Sequence, residues 1–138
     1  MNTITDGAPC ENQEIIIRGI TETLWDPTHN RVSSSAFRNP NTSVSRELVL
    51  SRKDLEAIFV RDVHKPSNQL MGVMPMGVGE LKGVCVSINL EIIQKPLQSN
   101  LAHAEIVQGL SRGLALKVIG QNPVQPLMIE TQILLSAV

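Results

Sequence analysis

No apolar stretch of this chain runs far before a Gly, Pro, Lys or Glu interrupts it. The ~20 apolar residues that a membrane-spanning helix needs are not there, so the interior must be assembled from short elements drawn from distant parts of the chain. At 138 residues the chain has the usual size of one domain and can bury roughly two thirds of its unfolded surface. With 42% hydrophobic and 18% charged residues, a packed interior rather than disorder is expected. The N-terminus is polar and acidic, unlike a secretory signal, and the expectation is a cytoplasmic protein that binds no membrane.

The interior cannot be aromatic. Trp25, Phe37 and Phe59 are the only aromatic residues, which leaves Ile, Val, Leu and Met to fill the core and offers few platforms on which bases could stack. Twelve basic against thirteen acidic residues give a net charge of -1, too little field to draw the chain onto nucleic acid. Cys10 and Cys85 are far apart and have no CxxC spacing, so both are expected as free thiols.

The order of elements predicts an α+β fold, with a mixed or mainly antiparallel sheet of about five strands and two helices. Residues 1–12 read as a flexible arm, 13–122 as a single domain, and 123–138 as an apolar tail or added strand. Ile15 to Ile17 form a β-branched run, and Arg18-Gly19 is expected at the end of that strand. Residues 21–45 are polar, with a short strand conceivable over Val32 to Phe37. A second strand is expected at Glu47 to Leu50. Ser51 is a good N-cap for an amphipathic helix over 52–62, since Leu55, Ile58 and Phe59 recur at helical spacing. Leu70 to Met76 reads as an edge strand with a bulge. Val84 to Ile93 alternates apolar and polar residues and reads as the longest strand. A helix is expected from Ser99 or Asn100 through Val107, continuing over 111–119 with Gly120 as its C-cap. The apolar residues from Leu127 onward need cover, from this domain's own sheet or from a protein partner, and a homo-oligomer is the simplest such arrangement.

Three clusters are candidates for chemistry. An arginine at Arg18 has the planar fork to hold a phosphate or carboxylate, and Gly19 lets a ligand approach the backbone; the alternative is a solvated strand-end charge. Ser33, Ser34 and Ser35 can donate hydroxyls to ligand oxygens, with Phe37 anchoring them to the core; otherwise they form a serine-rich loop. His103 and Glu105 lie two residues apart. On a helix they would point about 200° apart, whereas on a strand they would share a face and become candidates for proton transfer, with a structural histidine as the alternative. No His, Cys or acidic spacing is specific for a metal, and Gly77-Val78-Gly79 lacks the rest of a dinucleotide loop.

In chain order, Arg18 on the first strand, Ser33 to Ser35 on a second segment and Glu105 late in the chain resemble the Arg-Ser-Glu layout of ADP-ribosyltransferases, with His103 two positions before the glutamate. The resemblance covers three short spots. It implies a small nucleotide-binding enzyme using NAD, in which Arg18 grips the dinucleotide, Ser34 braces its nicotinamide half and Glu105 engages ribose while orienting the acceptor. The competing expectation is a nonenzymatic binding or assembly module whose apolar tail docks a partner or a second subunit.

Overall fold

The isoleucine run organises the sheet. β-Branched side chains suit a pleated surface with both faces buried, and strand β1 (Ile15–Thr21) alternates Ile16 and Ile20 toward one apolar layer with Ile17 toward another. The computed structural model describes residues 4–129. After β1 come β2 (Trp25–Asp26), β3 (Arg31–Val32), α1 (Ser35–Arg38), β4 (Thr42–Arg46), α2 (Arg52–Asp62), β5 (Leu70–Gly77), α3 (Val78–Val84), β6 (Ile92–Gln94), β7 (His103–Ile106) and α4 (Arg112–Gln121). Five strands form an antiparallel sheet in the order β5-β1-β4-β7-β6, and β2 and β3 form a separate ribbon. The fold is therefore α+β, with four helices among the described residues, of which α2 and α4 are the longest.

The larger core lies on one face of this sheet. Ile16, Ile20, Val44, Met74, Ala104 and Ile106 pack there against Phe37 of α1, Val78 and Leu81 of α3, and Val118 and Ile119 of α4. The opposite face carries a smaller core, in which Ile17, Leu70 and Val73 meet Leu55, Phe59 and Val60 of α2. Helix α2 runs over 52–62 as its spacing predicts, with the Ser51 hydroxyl accepting from the Asp54 N–H at 3.2 Å. β5 is an end strand of the sheet, and its register with β1 shifts between Ile20 and Thr21.

Several elements differ from expectation. The strand expected at Glu47 to Leu50 lies earlier, as β4 over Thr42–Arg46, and 47–50 is a turn. The strand expected over Val84 to Ile93 shrinks to Ile92–Gln94, because Val78, Leu81 and Cys85 bury at helical spacing while Val86 is 77% exposed. The helix expected from Ser99 to Val107 is replaced by strand β7, whose Ala104 and Ile106 enter the larger core, and α4 begins only after the Ser111 cap. It continues through Gly120 to Gln121. Val32 to Phe37 is divided between β3 and α1. Arg18 and Gly19 lie within β1, not at its end.

The polar stretch 21–45 is ordered by its own turn chemistry. Asp26 Oδ1 accepts from the Thr28 and His29 amides, and Asn30 and Asn41 take left-handed backbone conformations with φ of 52° and 58°. The N-terminal stretch expected as a flexible arm runs beside β6: Cys10 donates its N–H to Ile92 O at 2.8 Å, and Gly7 and Ala8 exchange bonds with Gln94. At the other sheet edge Gln125 exchanges 2.7 and 3.0 Å bonds with Val73, and Leu127 and Ile129 pack on the smaller core. The remainder of the apolar tail, 130–138, lies outside the described residues.

Gly109 is fixed by close approach, since a Cβ there would overlap the backbone oxygen of Arg38. The neighbouring Leu110 N–H donates to Phe37 O at 2.8 Å, so neither chain can retreat cheaply. Gly109→Ala is expected to cost about 2–3 kcal/mol, read from the midpoint of urea denaturation; an unchanged midpoint would show that the crossing yields.

Candidate functional site

Strand β1 pairs with β4 at Ile16↔Arg46 and Ile17↔Ser45 and then stops. Both strands continue, β1 with β5 as far as Thr21 and β4 with β7 back to Thr42. The two therefore splay apart, and on the α2 side the gap opens into a cavity of about 290 Å³. Ile17, Gly19, Ser43 and His103 form its sheet wall, Phe59 and Asp62 its helical wall, and the buried Asn100 also lines it.

Arg18 sits at the splay and also lines the cavity. Its Nη1 donates to the Ser43 carbonyl at 3.0 Å, and its guanidinium lies 5.9 Å from the centre of the Phe37 ring. Burial pushes its pKa down to about 10, because water no longer stabilises the cation. Nε is buried without a hydrogen-bond partner, and among the described residues no carboxylate comes within ion-pair distance of Arg18. The carboxylate of the cavity, Asp62, is engaged by Arg61 through two 2.7 Å bonds, which hold it below the usual carboxylate range.

His103 is held from two sides. Its Nδ1 lies 2.8 Å from the Lys95 carbonyl and its Nε2 3.1 Å from Ser43 Oγ. A carbonyl only accepts, so Nδ1 donates to it; in the neutral form of the ring Nε2 then carries the lone pair that can accept from the Ser43 hydroxyl. Beside them Asn100 Nδ2 donates to Ser45 Oγ at 3.0 Å, while its Oδ1 accepts from the Ala102 N–H. Arg61 also donates to Ser99 O at 2.7 Å, tying the 97–100 turn to α2.

No protein-family model matches this chain, and no curated protein or solved structure matches it significantly. The site must be read from its own geometry.

Of the residues that the sequence singles out, Arg18 and His103 line the same cavity. Glu105 shares the face of β7 with His103, as an extended segment requires, and stands opposite Ser43 and Ile93 in register, but it is not part of the cavity wall. Ser33, Ser34 and Ser35 are not part of it either; the Ser33 hydroxyl accepts from the Ser35 amide and hydroxyl at the start of α1. Their link to the site is indirect, through Phe37 beneath Arg18. Ser43 and Ser45 escaped the sequence reading, and Asn100, expected as a helix cap, instead precedes β7 and bonds Ser45. The signal for the two serines was the alternation Thr42-Ser43-Val44-Ser45, a strand pattern hidden within a polar stretch. A second cavity of about 230 Å³ lies between Trp25, Arg31 and the end of α4. Both cysteines are buried free thiols. Among the described residues no group of three or more His, Cys, Asp and Glu side chains gathers as a metal site, and no helix is long and apolar enough to cross a membrane.

Proposed function

We propose that this protein binds a small organic anion, with a carboxylate or phosphate on a largely apolar body, in the cavity between the sheet and α2. The observation that carries this reading is the charge of Arg18, which is half-buried, with its Nε out of water and no carboxylate partner among the described residues. A buried cation is expensive unless paired, and an anionic ligand entering beside Gly19 would supply the missing partner. The other walls, Ile17, Leu24, Phe59 and Val63, suit an apolar body.

Volume selects among anions. Small-molecule sites span about 300–1,000 Å³, and 290 Å³ stands at the lower end. That is room for one ring or a short acyl chain, not for a whole dinucleotide. The NAD-transferase reading shares Arg18 with this one but also needs Ser34 and Glu105 at the same ligand, so the smaller anion is the better-supported occupant.

The test is Arg18→Met in thermal unfolding with benzoate, octanoate and inorganic phosphate as probes. A probe at 100 times its Kd should stabilise the wild-type protein by about 2.7 kcal/mol. Arg18→Met should lose that response while the free variant gains about 1–2 kcal/mol, because the partly desolvated cation costs more than its bond to the Ser43 carbonyl and its contact with Phe37 return. A less stable variant, together with a wild-type protein indifferent to all three probes, would assign Arg18 a structural role and end the proposal.

A further inference from the structure

We infer that Ser43 is a nucleophile activated by His103, and that the cavity hydrolyses small carboxylic esters through an acyl-serine. The inference rests on the reading of this cavity as a site for small organic molecules and adds a reaction to it.

Three observations meet at Ser43. Its hydroxyl is exposed on the cavity wall, where a substrate can reach it. The register Ser45↔His103 and Ser43↔Glu105 makes Ser43 and His103 diagonal neighbours on one sheet face, and their 3.1 Å separation is within the reach required of a nucleophile and its base. The Lys95 carbonyl then fixes the tautomer that leaves Nε2 free to take the hydroxyl proton. The carbonyl is itself fixed, because the Lys95 N–H donates to the His103 carbonyl at 3.0 Å across the β6–β7 pairing. This is the logic of a nucleophile, a base and an orienting group, with a backbone oxygen in the third role. A carbonyl orients the ring but brings no full negative charge to stabilise the imidazolium, so turnover should be slow beside a carboxylate-supported site.

The chemistry closes with water alone. Ser43 Oγ attacks the ester carbonyl carbon as its proton passes to His103 Nε2. The carbonyl oxygen becomes an oxyanion, and the cation we assign to it is Arg18, whose guanidinium lies over the Phe37 ring and bonds the Ser43 backbone carbonyl at 3.0 Å where β1 and β4 separate. Collapse breaks the bond to the alkoxy group, which leaves as an alcohol with the proton from His103. Water, deprotonated by His103, then attacks the acyl-serine and returns Ser43 and a carboxylate, the kind of anion the cavity is built to hold.

The experiment uses the full chain and a fluorophosphonate probe, which phosphonylates activated serines with loss of fluoride. Intact mass should rise by one phosphonyl group, and peptide mapping should place it on Ser43. Ser43→Ala should take no label, and the thermal response of the wild-type protein to benzoate reads binding apart from labelling, which separates failure of the reaction from failure of binding. His103→Ala should label at least about 100-fold more slowly, and added imidazole should restore part of the rate, which a merely structural histidine would not allow. An unlabelled wild-type protein, a label that persists in Ser43→Ala, or a rate unchanged in His103→Ala would each overturn the inference.

Discussion

Arg46→Met should lower the free energy of unfolding by about 3–5 kcal/mol. Arg46 Nε and Nη2 donate to the two oxygens of Glu14 at 2.6 and 3.0 Å, and both side chains are at most 2% exposed. Removing the arginine strands the buried Glu14 carboxylate, to which the Glu11 N–H still donates at 2.8 Å. The neighbourhood already disfavours another anion: burial, followed by the charge of Glu14, pushes the Cys10 thiol up to about 11. For a domain of this size the loss corresponds to a fall in Tm of about 10–20 °C. The double variant Glu14→Met/Arg46→Met removes both charges together and should recover most of the loss, since an apolar replacement of a buried pair is often nearly neutral. The measurement is a double-mutant cycle in urea; additive single losses would show that the two residues act independently and would refute the account of the pair.

The pair also marks the limit of what could be read before the fold was known. Helix α2 was legible because its information is local: Ser51 caps it, and Leu55 and Phe59 recur along one face. The α+β class and the β1 strand were legible for the same reason. The segments misread as a strand over 84–93 and a helix over 99–107 are those whose local pattern tertiary packing overrode. Cys85 turned inward with α3, and His103 to Ile106 was recruited as a strand between β4 and β6. The site divides the same way. Arg18 could be noticed because an arginine followed by Gly19 after three isoleucines offers an anion-holding fork beside a strand, although that strand runs on past it. Ser43 could not, because its significance depends on where β1 leaves β4 and on a histidine sixty residues away, and neither is a property of its neighbours in sequence.

Phe37→Ala is the second large loss, expected at about 3–5 kcal/mol. Phe37 is 1% exposed, among the largest fully buried side chains, and sits where α1 meets α4 in the larger core. Its carbonyl receives the Leu110 N–H at the crossing that Gly109 makes possible, so the cavity left by truncation has rigid walls and cannot collapse to fill itself. Phe37→Leu keeps most of the volume and should cost less than about 1.5 kcal/mol, which isolates the ring's other role. At 5.9 Å from the guanidinium, the ring is at the outer limit of a cation–π contact, an interaction of about 0.5–1 kcal/mol. Loss of that contact frees Arg18 from one of its two supports, leaving the bond to Ser43 O, and should weaken binding of a small carboxylate about 2–5-fold. The serine-rich turn is thus connected to the cavity through packing: Ser33 to Ser35 start the helix that delivers Phe37, and Phe37 steadies the cation. A Phe37→Leu variant that binds benzoate as tightly as the wild-type protein would remove the ring from the site, and a Phe37→Ala variant with undiminished stability would remove it from the core.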